Sequence, residues 1–194
     1  MKLRHALAAT LLAFASMAQA DVVRFFTTFA PEAAGATGSG SADVTFDSVS
    51  HVLTYAGSFS GLSGTATQAH FHCCTAVPFA GTAGIAVDSP SLFGFPVGAT
   101  SGAFNSFLDL DDPNNFNATF LSGAGGTTDL AIAKFLAGIS SHSVYLNIHS
   151  STFPGGEIRG FLVPEPGTVA LALLAFGAMG IVRRRRPHAQ PLCT

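Results

Sequence analysis

Fifteen uncharged residues at 168–182 (TVALALLAFGAMGIV) end on Arg183-Arg184-Arg185-Arg186, and they follow the short turn Val163-Pro164-Glu165-Pro166-Gly167. A proline-bearing bend, an apolar transmembrane helix and a cationic stop form a C-terminal anchor. The positive charge holds that end in the cytoplasm. The preceding chain therefore has to fold on the outer side of a membrane.

The other end agrees. Residues 1–20 (MKLRHALAATLLAFASMAQA) carry Lys2 and Arg4 in a charged first region, an apolar stretch at 6–17, and Ala18-Gln19-Ala20 as a small-residue cleavage site. The apolar stretch is short for a membrane span. Residues 1–20 are expected to be a signal peptide removed after Ala20.

With both ends set aside, the charge changes character. Residues 21–162 hold three basic side chains (Arg24, Lys134, Arg159) against ten acidic ones, a formal charge of −7. Such a body repels phosphate backbones, so no nucleic-acid partner is expected. The arginine run directly after an apolar segment is a topology signal rather than a binding patch.

The body is rich in Phe, Val, Thr, Ser and Gly and has no Trp. Short β-prone runs punctuated by Gly and Pro predict an all-β fold. Strands are expected at 22–29, 43–47, 51–58, 66–72, 84–87, 101–110, 143–149 and 157–163. A flexible loop is expected at 32–41 and a polar, turn-rich stretch at 111–127. One short helix is expected at 128–137, capped by Thr127 or Thr128, with Leu130, Ala133, Phe135 and Leu136 on its apolar side and Gly138 as its stop. Eight strands and one helix suit an antiparallel β-sandwich with Greek-key connections. The expected organisation is a signal peptide (1–20), a first strand and flexible loop (21–41), a β-sandwich domain (42–163), a sorting segment with the transmembrane helix (164–186) and a cytoplasmic tail (187–194).

Two resemblances enter here. Pro164-Glu165-Pro166, the apolar run and Arg183, Arg184, Arg185 and Arg186 resemble the PEP-CTERM sorting signal of Gram-negative bacteria. That implies an exosortase and the inner membrane as partners, and delivery to the cell surface or extracellular space. Gln68-Ala69-His70-Phe71-His72, then Val144-Tyr145-Leu146-Asn147-Ile148-His149-Ser150, then Pro154-Gly155-Gly156-Glu157-Ile158-Arg159-Gly160-Phe161 resemble the hallmark stretches of the CHRD (chordin-type) domain over about 42–162. Cys73-Cys74 departs from that pattern. The resemblance implies a fold and an extracellular setting, not a reaction.

The residues themselves suggest chemistry. His70 and His72 share one face of a strand, about 7 Å apart along it. Tyr145, Asn147 and His149 share one face of another. If the strands are neighbours, His149 joins the pair, and three imidazoles make a Zn or Cu site. The same histidines can instead hydrogen-bond backbone at strand ends, and both readings stay open. Glu157 and Arg159, also two apart, are expected to form a structural ion pair or network beside the Pro154-Gly155-Gly156 turn. Cys73 and Cys74 lie in an oxidising compartment and form either a vicinal disulfide, thiolate ligands beside the histidines, or links to another chain. Asp109, Asp111 and Asp112 can offer oxygens to calcium, although a solvated acidic turn is the commoner use of such a run.

No nucleophile elbow, phosphate-binding loop or metalloprotease helix motif is present in the sequence. A non-enzymatic role is expected, as a surface or matrix module that binds or adheres to extracellular polysaccharide or a secreted protein. The alternative is a Cu- or Zn-dependent redox or sequestration protein built on His70, His72 and His149.

Overall fold

The computed structural model describes residues 22–87 and 91–165. The signal peptide, the transmembrane segment, Pro166 and Arg183–Arg186 of the sorting signal, and the 187–194 tail lie outside the described residues. Among the described residues no helix is long and apolar enough to cross a membrane.

Nine strands form the body: β1 (Val22–Pro31), β2 (Ser39–Asp47), β3 (Val52–Ser60), β4 (Ala66–His72), β5 (Ile85–Val87), β6 (Gly102–Asp109), β7 (Tyr145–Ser150), β8 (Ile158–Phe161) and β9 (Val163–Pro164). All pairings are antiparallel, in the order β5-β4-β7-β8-β1-β2-β3-β6, with β9 beside β1. The expected sandwich is therefore one sheet curled over on itself. The long β1 makes the turn between layers: residues 22–29 pair with β2, Phe25 and Phe26 also with β9, and its end, Ala30 and Pro31, pairs with Arg159 and Ile158 of β8.

Strict alternation builds the interior. Phe25, Thr27 and Phe29 of β1, Ala42, Val44 and Phe46 of β2, and Leu53, Tyr55 and Phe59 of β3 are buried, while their sequence neighbours face outward. Across the layers Tyr55 meets Phe71 of β4 edge to face, with ring centroids 6.0 Å apart.

The chain between β6 and β7 departs from expectation. The stretch read as turns holds a 3-10 turn at Pro113–Asn115 and a first helix, α1 (Ala118–Ala124), capped by the Asn117 side chain. The expected helix, α2 (Thr128–Ser140), starts on its Thr127 cap but runs through Gly138. Its buried face is Ala131, Ile132, Phe135, Gly138 and Ile139, and Leu130 is exposed. These positions follow the helical repeat and meet Phe71 and Val144, which rotates the apolar side away from the one expected. Gly138 does not stop the helix because its missing side chain is what lets the Cys73 and Cys74 sulfurs and Val144 pack there. Those two sulfurs are joined as a vicinal disulfide. The loop expected at 32–41 is shorter, since β2 begins at Ser39 and gains its ladder with Ser60.

Gly160 is the tightest point of the curl. A methyl group there would strike Thr27 Oγ1 and the Thr28 carbonyl of β1. Gly160→Ala is expected to cost about 3 kcal/mol of stability, as overpacking does, read as a lowered melting temperature. An unchanged melting curve would contradict the close approach of β8 to β1.

Candidate metal centre

β4 and β7 lie side by side, with His70 opposite Asn147, His72 opposite Tyr145 and Gln68 opposite His149. Ala69, Phe71, Leu146 and Ile148 enter the core. His70, His72, Tyr145, Asn147 and His149 consequently share the opposite, outer face. The outer face of a sandwich is normally wet. Here the three imidazoles are only 0%, 8% and 6% exposed for His70, His72 and His149.

Three pieces of chain roof them. The connection between β4 and β5 lays Ala83 over the face: its carbonyl accepts from His72 Nδ1 at 2.9 Å, and its N–H donates to Tyr145 Oη at 3.1 Å. The turn after β7 brings the Pro154 carbonyl to 2.8 Å from His149 Nδ1. Glu32, just past β1, reaches Asn147 and Arg159. Gly156, at φ 129°, leaves the room that the Glu32 carboxylate and the Asn147 amide occupy.

A ring nitrogen facing a peptide carbonyl must carry the hydrogen, so His72 and His149 are Nδ1–H tautomers with the lone pair on Nε2. The ligand atoms of all three histidines lie within 4.8 Å of one another. His149 Nε2 accepts a hydrogen bond from His70 Nδ1 at 3.3 Å, a proton that a bound ion would replace. Two nitrogens bound at 2.0–2.1 Å in a tetrahedral shell stand about 3.3–3.4 Å apart. His72 Nε2 is buried and has no hydrogen-bond partner among the described residues.

Burial holds His72 below the ordinary imidazole range, against the pull of the Ala83 carbonyl and with help from His149 and Arg159. Burial also lowers His149, opposed by the Pro154 carbonyl. Both are neutral and ligand-competent at neutral pH. Tyr145 stacks on His72 with centroids 4.7 Å apart, and the Arg159 guanidinium lies 5.0 Å from the Tyr145 ring.

The expected ion pair between Glu157 and Arg159 is not formed. Glu157 precedes β8, so strand alternation does not align it with Arg159. It is buried, and its Oε1 accepts from the Ser63 N–H at 2.6 Å and the Ser63 hydroxyl at 2.7 Å. Arg159 pairs with Glu32 at 3.1 Å and donates to the Gly81 carbonyl at 2.7 Å. Burial raises Glu32 above the usual carboxylate value, against the Arg159 charge and the Asn147 amide. Glu32 carried no signal in the sequence: a lone acid in a run of small residues, far from its partners along the chain.

The cysteines do not join the site. Their sulfurs pack against Gly138 of α2, on the core side of β4. The acidic run binds itself: Asp109 accepts from the Asp111 N–H at 2.9 Å, and Asp112 accepts from the Asn114 N–H at 2.9 Å. Asp111 instead meets His51 at 2.7 Å, with Asp129 close by in an exposed cluster.

Comparison with known families closes the description. The CHRD domain family model matches residues 14–162, further toward the N-terminus than the sequence motifs suggested. The PEP-CTERM protein-sorting motif matches residues 162–186. No curated protein and no solved structure matches the chain. The sorting motif marks an exported protein, held at the membrane and processed by an exosortase on its way to the cell surface.

The lowered His values set a pH dependence. Below about pH 6.5 the unfolded histidines take up protons that folded His72 and His149 refuse, so stability is full above that pH and falls as pH drops through it. His51, raised chiefly by its bond to Asp111, acts in the opposite sense, but it is exposed and screened by salt. Chelator-treated protein is expected to melt at progressively lower temperature from pH 7.5 to 5. Replacing both His72 and His149 with Gln should flatten that slope; an equally steep slope in the double variant would contradict the assignment.

Proposed function

Since the chain belongs to the CHRD domain family and ends in a PEP-CTERM sorting motif, we propose that its exported domain is a metal-holding module whose ligands are His70, His72 and His149. The observation that carries this reading is the lone pair of His72 Nε2, buried without a partner among the described residues beside two further imidazoles. A buried polar atom left unsatisfied costs about 1–3 kcal/mol. A Zn or Cu ion at that point would use the lone pair and make the cost a binding determinant.

The surroundings support holding rather than turnover. The Ala83 and Pro154 carbonyls fix the ring tautomers, as second-layer groups do around bound metals. The roof of chain encloses the site in the manner of structural metal sites. Sequestration of Cu or Zn at the cell surface fits this enclosure better than redox catalysis, which needs an approach for substrate.

Binding or adhesion toward extracellular polysaccharide or a secreted protein stands as a second reading. Its support is the opposite outer face, where Phe26 of β1 and Phe107 of β6 are 38% and 65% exposed among Thr, Ser and Asn and the charged Arg24, Asp43 and Asp109. Flat polar faces bearing aromatic rings are suited to stacking on sugars.

Metal analysis decides the first reading. The purified domain, loaded with Zn or Cu and freed of excess, is expected to retain one ion per chain. His72→Ala should weaken retention at least about a hundredfold. No retained ion, or equal retention in the variant, would refute the site.

A further inference from the structure

The sorting motif is not a tail hung beyond the domain. The two family matches meet at residue 162 with no spacer between them. Leu162 is fully buried, and its N–H donates to the Val144 carbonyl at 3.0 Å. Val163 and Pro164 then pair with Phe26 and Phe25 of β1. Arg159 and Ile158 pair with Ala30 and Pro31 in the same register. β8 and β9 are thus one strand line along β1, drawn aside only between Gly160 and Leu162.

The motif's own residues fit that line. The Glu165 N–H donates to the Arg24 carbonyl at 3.2 Å. In an antiparallel ladder bonded and non-bonded pairs alternate. Pro164, opposite Phe25 and next to the bonded Glu165–Arg24 pair, falls where the ladder asks for no N–H, a position proline tolerates. α2 also lies alongside β9. Val163, Pro164 and Glu165 are all part-buried.

We infer that the folded domain gates its own sorting: Pro164 and Glu165 are stored as the last stretch of the sheet, and exosortase engages the motif only after β9 leaves β1. An enzyme that grips an extended peptide needs its backbone groups, and β1 takes up the Glu165 N–H here. The ladder is short, so release needs no unfolding of the domain. It sets a fraction of time for which the motif is exposed. This inference is independent of the metal reading.

The test uses the full-length chain in cells that contain exosortase, with conversion of precursor to processed form followed by pulse-chase. Inserting eight Gly and Ser residues between Val163 and Pro164 separates the motif from β1. Conversion is expected to quicken by roughly tenfold, the worth of one or two ladder hydrogen bonds. The same insertion between Gly167 and Thr168 lengthens the tether and leaves β9 paired; its rate should not exceed that of the natural chain. Hydrogen exchange on the full-length chain in detergent, without exosortase, should find the Glu165 amide protected in the natural chain and unprotected after the first insertion. Equal conversion rates for the natural chain and the first insertion, an equal gain from both insertions, or an unprotected Glu165 amide in the natural chain would overturn the gate.

Discussion

Two hydrogen bonds organise the site. His72 and His149 each give their Nδ1 hydrogen to a peptide carbonyl, of Ala83 and Pro154. Once those hydrogens are committed, the Nε2 lone pairs have one direction left, toward each other and His70. The carbonyls themselves belong to the chain that roofs the face. The same bonds therefore close the site to water and fix the tautomers, while the burial they bring outweighs their own pull toward the charged form and keeps the rings neutral. Water would solvate the lone pairs if the roof were lifted, and the proposed preference for a metal would fade with it.

The sheet supplies the other half. A one-residue slip between β4 and β7 would turn either His149 or the pair His70 and His72 into the core and break up the cluster. The register is set by Ala69, Phe71, Leu146 and Ile148, all fully buried on the other face. Core packing and site geometry are thus the same constraint seen from two sides. The Glu32–Arg159 pair and Asn147 extend it, tying the end of β1 to β7 and β8. The sorting strand continues the same line, so the domain, its site and its address share one sheet.

Much of this was legible in the residues. Short β-prone runs punctuated by Gly and Pro announced the strands, and the two-residue spacings put His70 with His72, and Asn147 with His149, on common faces. Strand adjacency, the condition for their meeting, came from long-range pairing that no local spacing encodes. The roof was illegible for the same reason, because Ala83 and Pro154 act through backbone carbonyls that every residue possesses. Glu157 and Arg159 misled because period-two logic was extended one residue beyond the strand. α2 misled because a buried glycine looks like a stop when its neighbours, Cys73, Cys74 and Val144, are not yet in view.

X-ray absorption of the Zn-loaded chain tests the centre most directly. Imidazole rings bound through nitrogen at about 2.0–2.1 Å leave both a near shell and the outer-ring scattering of the same ligands. The proposed site predicts three such rings around the ion. A shell of oxygens alone, or sulfur at about 2.3 Å, would place the metal elsewhere and contradict the centre formed by His70, His72 and His149.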